Sequence, residues 1–183
     1  MIGRRAVVSV PASTANLGPG FDAIGLALEV RDEISAHISD KAGVRVSIQG
    51  NGVDTLPRDR THVVAEVLLS VAESLGHQVP GLDVDCRNAI PQGRGMGSSA
   101  AAIIAGLVLA RELVAPELTN EELLRRATVL EGHADNVSAC LLGGLTVAAW
   151  DRLDDVRAVS LAVHPDVAAL GALPLSQDGF GPT

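Results

Sequence analysis

With 183 residues, 47% of them hydrophobic, the sequence can bury one substantial core, enough for one domain or slightly more. Two Phe, one Trp and no Tyr leave that core to Val, Leu, Ile and Ala, whose flat aliphatic layers suit sheet against helix. A formal net charge of -8 argues against a nucleic-acid backbone as partner, because such partners select basic patches and Arg4-Arg5 is too short to make one.

In chain order, Ala6 to Val10 is a β-branched run that reads as a first strand stopped by Pro11. Pro11 to Asp22 follows as a loop crowded with two prolines, two glycines and small polar or acidic residues. Loops so constrained hold ligands, although Asn16 and Asp22 would equally serve as turn caps. Ala23 to Val30 and Glu33 to Ile38 read as one or two strands. Val44 to Ile48 is a further strand, expected to pair antiparallel with them. Thr61 opens a helix that presents Val63, Val64, Val67, Leu68, Val71 and Leu75 on one face and ends at Gly76.

Leu82 to Ala89 alternates as a strand and leads into Ile90 to Ala102, a glycine-rich turn running into a small-residue helix from about Gly97 to Val114. Gly93, Gly95 and Gly97 permit positive φ and close approach of a ligand. Ser98 and Ser99 fall where a helix leaves its first N–H groups unpaired, which makes an anion site suited to phosphate. No lysine follows the last glycine, so this is not a Walker loop, and the spacing is not the dinucleotide fingerprint. A plain glycine turn capping a buried helix fits the same residues.

Thr119-Asn120-Glu121-Glu122 has capping-box spacing and starts a helix with Leu123, Leu124, Ala127 and Leu130 as its buried stripe and Arg125 and Arg126 on its solvated face. Glu131 to Asn136 breaks that helix, Val137 to Leu142 makes a short helical turn, and Leu145 to Trp150 and Val156 to Val163 are strands. Strands and helices do not alternate regularly, so the expected class is α+β, a mixed or antiparallel sheet packed with helices. The stretch 167–183 has no periodicity and is expected to be an irregular, fraying tail. Cys86 and Cys140 lie far apart in apolar surroundings and read as reduced core thiols. With no leader-like start and no apolar run of about 18 residues, a cytoplasmic chain without a membrane span is expected.

Three segments read together carry a resemblance. Pro11 to Asp22, Pro91 to Ala101 and Glu131 to Asn136 closely resemble, in order and spacing, the signatures of homoserine kinases, members of the galactokinase, homoserine kinase, mevalonate kinase and phosphomevalonate kinase (GHMP) superfamily. The middle segment is similar to that superfamily's phosphate motif PxxxGLGSSAA, with Met96 in place of Leu.

The resemblance runs from about Ala6 to Asp166 and implies that 1–166 is the superfamily's N-terminal ATP-binding domain, with a fold like the second domain of ribosomal protein S5. It also implies transfer of the γ-phosphoryl group of ATP to the hydroxyl of L-homoserine, in threonine biosynthesis. Pro91, Gln92, Gly93, Arg94, Gly95, Met96, Gly97, Ser98, Ser99, Ala100 and Ala101 would bind ATP, and Ser99 and Glu131 would hold Mg²⁺. Asn16, Asp22 and His133 would contact homoserine. Asn136 stands where relatives such as mevalonate kinase have an Asp general base, and with His133 it would line the reacting centre. A surface carboxylate fits Glu131 and a structural imidazole fits His133 equally well.

The same resemblance implies a second α+β half with a third motif and carboxylate-clamping arginines, which this sequence does not contain. Asp178 to Thr183 is only faintly similar to that motif. Two alternatives therefore stand beside the kinase: an inactive nucleotide-binding fragment or interaction module, and a GHMP kinase with another small hydroxylated acceptor. Core surface left open by a missing half would favour a homodimer.

Overall fold

A computed structural model describes residues 1–151, 155–164 and 166–168. The elements in order are β1 (Arg5–Leu17), β2 (Gly20–Ser39), β3 (Gly43–Gly50), α1 (Val63–Ser74), β4 (Gly81–Asn88), α2 (Ser98–Leu113), α3 (Asn120–Glu131), α4 (Asp135–Leu142), β5 (Leu145–Trp150) and β6 (Val156–Leu161). The fold is α+β, as expected. Apart from Val167 and Ala168, the expected irregular tail lies outside the described residues.

The long strand β2 organises the six-stranded sheet. Its second half pairs antiparallel with β4 and its first half with β5, which hands on to β6, while β1 runs along the opposite edge. On one face the alternating residues Val8, Val10, Ile34, Ala36, Ile38, Val46, Ile48, Leu82 and Val84 are buried under the helices. Gly106 lets α1 and α2 cross closely, since a Cβ there would lie 2.8 Å from Val67 Cβ and 2.9 Å from Val64 O.

Several expectations are corrected. β3 pairs with β4 in parallel, not antiparallel with β2, because α1 carries the chain back across the sheet between β3 and β4. Pro11 does not end the first strand. β1 is an edge strand and its register shifts between Pro11 and Ser13, so a residue without an N–H costs no ladder bond there. The segment expected to be a loop is therefore a hairpin, closing where Leu17 pairs with Gly20.

α1 begins after His62, with Val63 and Leu75 exposed at its two ends. In α3 the Thr119 hydroxyl does accept from Glu122 N, but Leu130 is 53% exposed and Thr128 takes its place in the stripe, donating to Leu124 O. Arg125 and Arg126 are half-buried rather than solvated, and both bind Glu122.

Cys86 and Cys140 are buried and unbridged, and burial pushes both thiols up to about 12. The thiolate is the reactive form. The native chain should therefore leave both thiols unreacted in a chromogenic disulfide titration at pH 8, and the unfolded chain should react at both. Among the described residues no helix is long and apolar enough to cross a membrane.

Candidate nucleotide and acceptor site

The glycine-rich turn leaves β4 under direct control of a buried carboxylate. Asp32 Oδ1 accepts from Ala89 N at 2.7 Å and from Ile90 N at 2.8 Å, fixing the turn's entry. Burial raises the pKa of Asp32, and these two hydrogen bonds work against that shift. Gly93, Gly95 and Gly97 have φ of 62°, 68° and 63°, the left-handed region that glycine adopts without penalty. A Cβ on Gly93 or Gly95 would meet nothing within 4 Å, whereas one on Gly97 would collide with Ser13 Oγ. Gly97 is the N-cap of α2 and has no side chain to offer, so the first N–H groups of a 16-residue helix lack a side-chain cap. Together with the helix dipole they favour an anion.

Around this helix start the fold gathers most of the residues singled out from the sequence. Ser99 Oγ donates to Glu131 Oε2 at 2.8 Å, although the two are 32 residues apart. Two hard oxygen donors suit Mg²⁺, which usually takes one or two protein ligands and completes its shell with phosphate and water. Among the described residues no group of three or more His, Cys, Asp or Glu side chains is placed to hold a metal ion.

Asn136 Oδ1 accepts from Ser13 Oγ at 3.0 Å, and Ser13 N donates to Met96 O at 3.0 Å. Ser13 thus ties β1, the turn and α4 together. Gly132, at φ 92°, ends α3 and turns the chain so that Asp135 begins α4. Asp135 receives Asn136 N at 2.7 Å and lies 2.6 Å from His133 Nδ1.

Asn16 and Asp22 lie on the exposed end of the β1–β2 hairpin, where Ala15 pairs with Gly25 and Gly25 in turn lies against Asp135 at the start of α4. Asn16 and Asp22 both have positive φ, 58° and 56°, unusual for non-glycine residues, and Asn16 Oδ1 accepts from Asp22 N at 2.9 Å. The hairpin end is thereby shaped by the two residues themselves, with the Asp22 carboxylate at the surface.

Beside Ser98 and Ser99 opens a cavity of about 220 Å³, lined also by Asp32, Leu56, His62 and Asn88. His62 is 4% exposed, neither ring nitrogen has a partner, and burial lowers its pKa. A neutral imidazole there has one donor and one acceptor to offer a polar ring. Neither His62 nor Asp32 stood out in the sequence. A lone His before an apolar helix carries no motif, and the backbone partners of Asp32 are nearly sixty residues away.

Residues 62–144 match the N-terminal domain of the GHMP kinases. Among the chain's sequence relatives are homoserine kinases. That of Streptomyces avermitilis is 47% identical over 181 residues, covering 95% of this chain and 59% of that protein. That of Clavibacter michiganensis is 43% identical over 176 residues, covering 95% and 55%. A crystal structure of homoserine kinase from Cytophaga hutchinsonii superposes with a TM-score of 0.73 at 33% identity, over 91% of this chain and 57% of that one. The L. major mevalonate kinase, at 20% identity and a TM-score of 0.62, shares the fold. The chain spans between 55% and 59% of the length of these curated relatives.

Proposed function

We propose that this chain forms the nucleotide-binding part, about residues 1–166, of a kinase that transfers the γ-phosphoryl group of ATP to the side-chain hydroxyl of L-homoserine, a step in threonine biosynthesis. The observation that carries the reading is the Ser99–Glu131 contact across the uncapped start of α2. It sets two metal-suited oxygens beside backbone donors suited to phosphate.

In this reading the turn from Pro91 to Gly97 and the first residues of α2, Ser98 to Ala101, surround the triphosphate, and the base enters the cavity beside His62. Ser99 and Glu131 hold Mg²⁺, which when bound offsets phosphate charge. Asn136 cannot accept a proton near neutral pH, and its Oδ1 is already engaged by Ser13. Its Nδ2 is the atom left to hold the acceptor hydroxyl, so positioning and electrostatics dominate and the hydroxyl proton passes to phosphate. His133, beyond Glu131, adds a contact to the acceptor, and Asn16 and Asp22 receive its ammonium end.

Incubation of the chain with ATP, Mg²⁺ and homoserine, followed by phosphorus NMR for O-phosphohomoserine, tests the reading. Product above a no-enzyme control is expected. The length relation to the relatives favours one second reading, a domain that binds ATP without turnover. Calorimetric ATP binding in the absence of product selects it. Preference for another small hydroxylated molecule in the same assay would assign a different acceptor.

The acceptor contact has its own signature. Asp22→Asn should raise the KM for homoserine about 10–100-fold, the range set by losing a charged hydrogen-bond partner, and leave the KM for ATP unchanged. Steady-state kinetics with each substrate varied in turn separates the two.

A further inference from the structure

We propose that Asp135 is a positioning residue: it holds the hydrogen of the His133 ring on Nδ1, so that Nε2 faces the acceptor molecule and, in the ring's neutral form, is offered to it as a hydrogen-bond acceptor. The role for the acceptor rests on the kinase reading above, whereas the tautomer does not. Asp135 is wholly buried, with 0% exposure, yet both hydrogen bonds of its carboxylate run through one oxygen. Oδ1 takes His133 Nδ1 and Asn136 N, and Oδ2 is buried without a partner. An idle buried carboxylate oxygen is costly, and capping the α4 N-terminus does not explain it, because Ser or Thr caps without that cost.

The tautomer follows from donors and acceptors. A carboxylate only accepts, and Oδ1 already receives the Asn136 N–H. At 2.6 Å the remaining hydrogen belongs on Nδ1. The imidazole ring is rigid, so Nε2 lies on the side away from Asp135, and the His133 side chain is 38% exposed against 1% for Asp135. The outward nitrogen of the neutral ring is therefore a bare lone pair. It suits a donor group, a hydroxyl or an ammonium, and does not suit a carboxylate. The same oxygen that sets His133 also receives the backbone N–H of Asn136, so one buried atom orients two of the residues placed around the acceptor.

The test is a long-range ¹H–¹⁵N spectrum of the ¹⁵N-labelled 183-residue chain at about pH 9, above the ordinary imidazole range. The His133 signals are identified by their loss in His133→Gln. The Nδ1–H form is expected in the wild type and in Asp135→Asn, whose amide oxygen still accepts, and Asp135→Ala should shift the ring toward Nε2–H. In kinetics, Asp135→Ala should raise the homoserine KM about tenfold with the ATP KM unchanged, and that factor should vanish in the His133→Gln background. An Nε2–H ring in the wild type, a tautomer indifferent to Asp135→Ala, or an equal KM effect in both backgrounds overturns the proposal. Absence of any phosphohomoserine overturns the kinase reading instead, and the spectrum still decides the tautomer.

Discussion

Gly97→Ala should destabilise the chain by about 2–5 kcal/mol, the sum of about 1–2 for left-handed strain and about 1–3 for overpacking, and should abolish calorimetric ATP binding. The strain arises because Gly97 has φ 63° and ψ 33°. The overpacking arises because its new methyl would collide with Ser13 Oγ and lie 3.1 Å from Ser13 O and 3.2 Å from Asn136 Oδ1. Ser13 cannot step aside, being fully buried with its hydroxyl on Asn136 and its N–H on Met96 O. The comparison that isolates the collision is Gly93→Ala or Gly95→Ala. Both residues have positive φ, but an added methyl there meets nothing within 4 Å. These two should lose only the strain, about 1–2 kcal/mol in chemical denaturation. Equal losses at all three glycines would remove the collision with Ser13 as the reason for Gly97.

Ser99→Ala should have the opposite profile, with turnover lost and stability kept. Ser99 is exposed on the first turn of α2, and alanine favours helix at least as well as serine. The unfolding midpoint should hold or rise slightly. Its hydroxyl meets Glu131, however, and under the proposed function the two share the metal. Loss of an outer partner of a metal ligand costs about 10–100-fold, so loss of a direct ligand should lower turnover at saturating Mg-ATP by on the order of 100-fold or more. Glu131→Gln, which keeps shape and removes charge, should fall in the same class. Turnover at the wild-type level in Ser99→Ala, measured across a Mg²⁺ titration, would remove this side chain from the metal site.

Local chemistry made α2, the Thr119 cap, the helix break at Gly132 and the alternating strands legible in the sequence, because each is written within a few residues. The parallel pairing of β3 with β4 was not legible. Alternation in Val44 to Ile48 reports a half-buried strand and says nothing about its neighbour, which the α1 crossover decides. Pro11 misled for the related reason that its cost depends on which edge of the strand is paired. At the site, the three motif segments pointed to the turn, to Glu131 and to Asn136. Asp32, His62 and the joining role of Ser13 depend on partners far along the chain, which no spacing rule reports.

Two glycines in different elements, Gly25 on β2 and Gly97 in the turn, each lack the methyl group that would otherwise separate them from the start of α4. A Cβ on Gly25 would strike Asp135 O, as one on Gly97 would crowd Asn136. The start of α4 is therefore held on one side by the close backbone of Gly25 and on the other by the Ser13–Asn136 side-chain hydrogen bond. A displacement of the glycine turn on filling would be felt at Asn136 through that bond and through Gly97. Donor and acceptor ends of such a site would behave as a single stiff joint, and tightening one would tune the other.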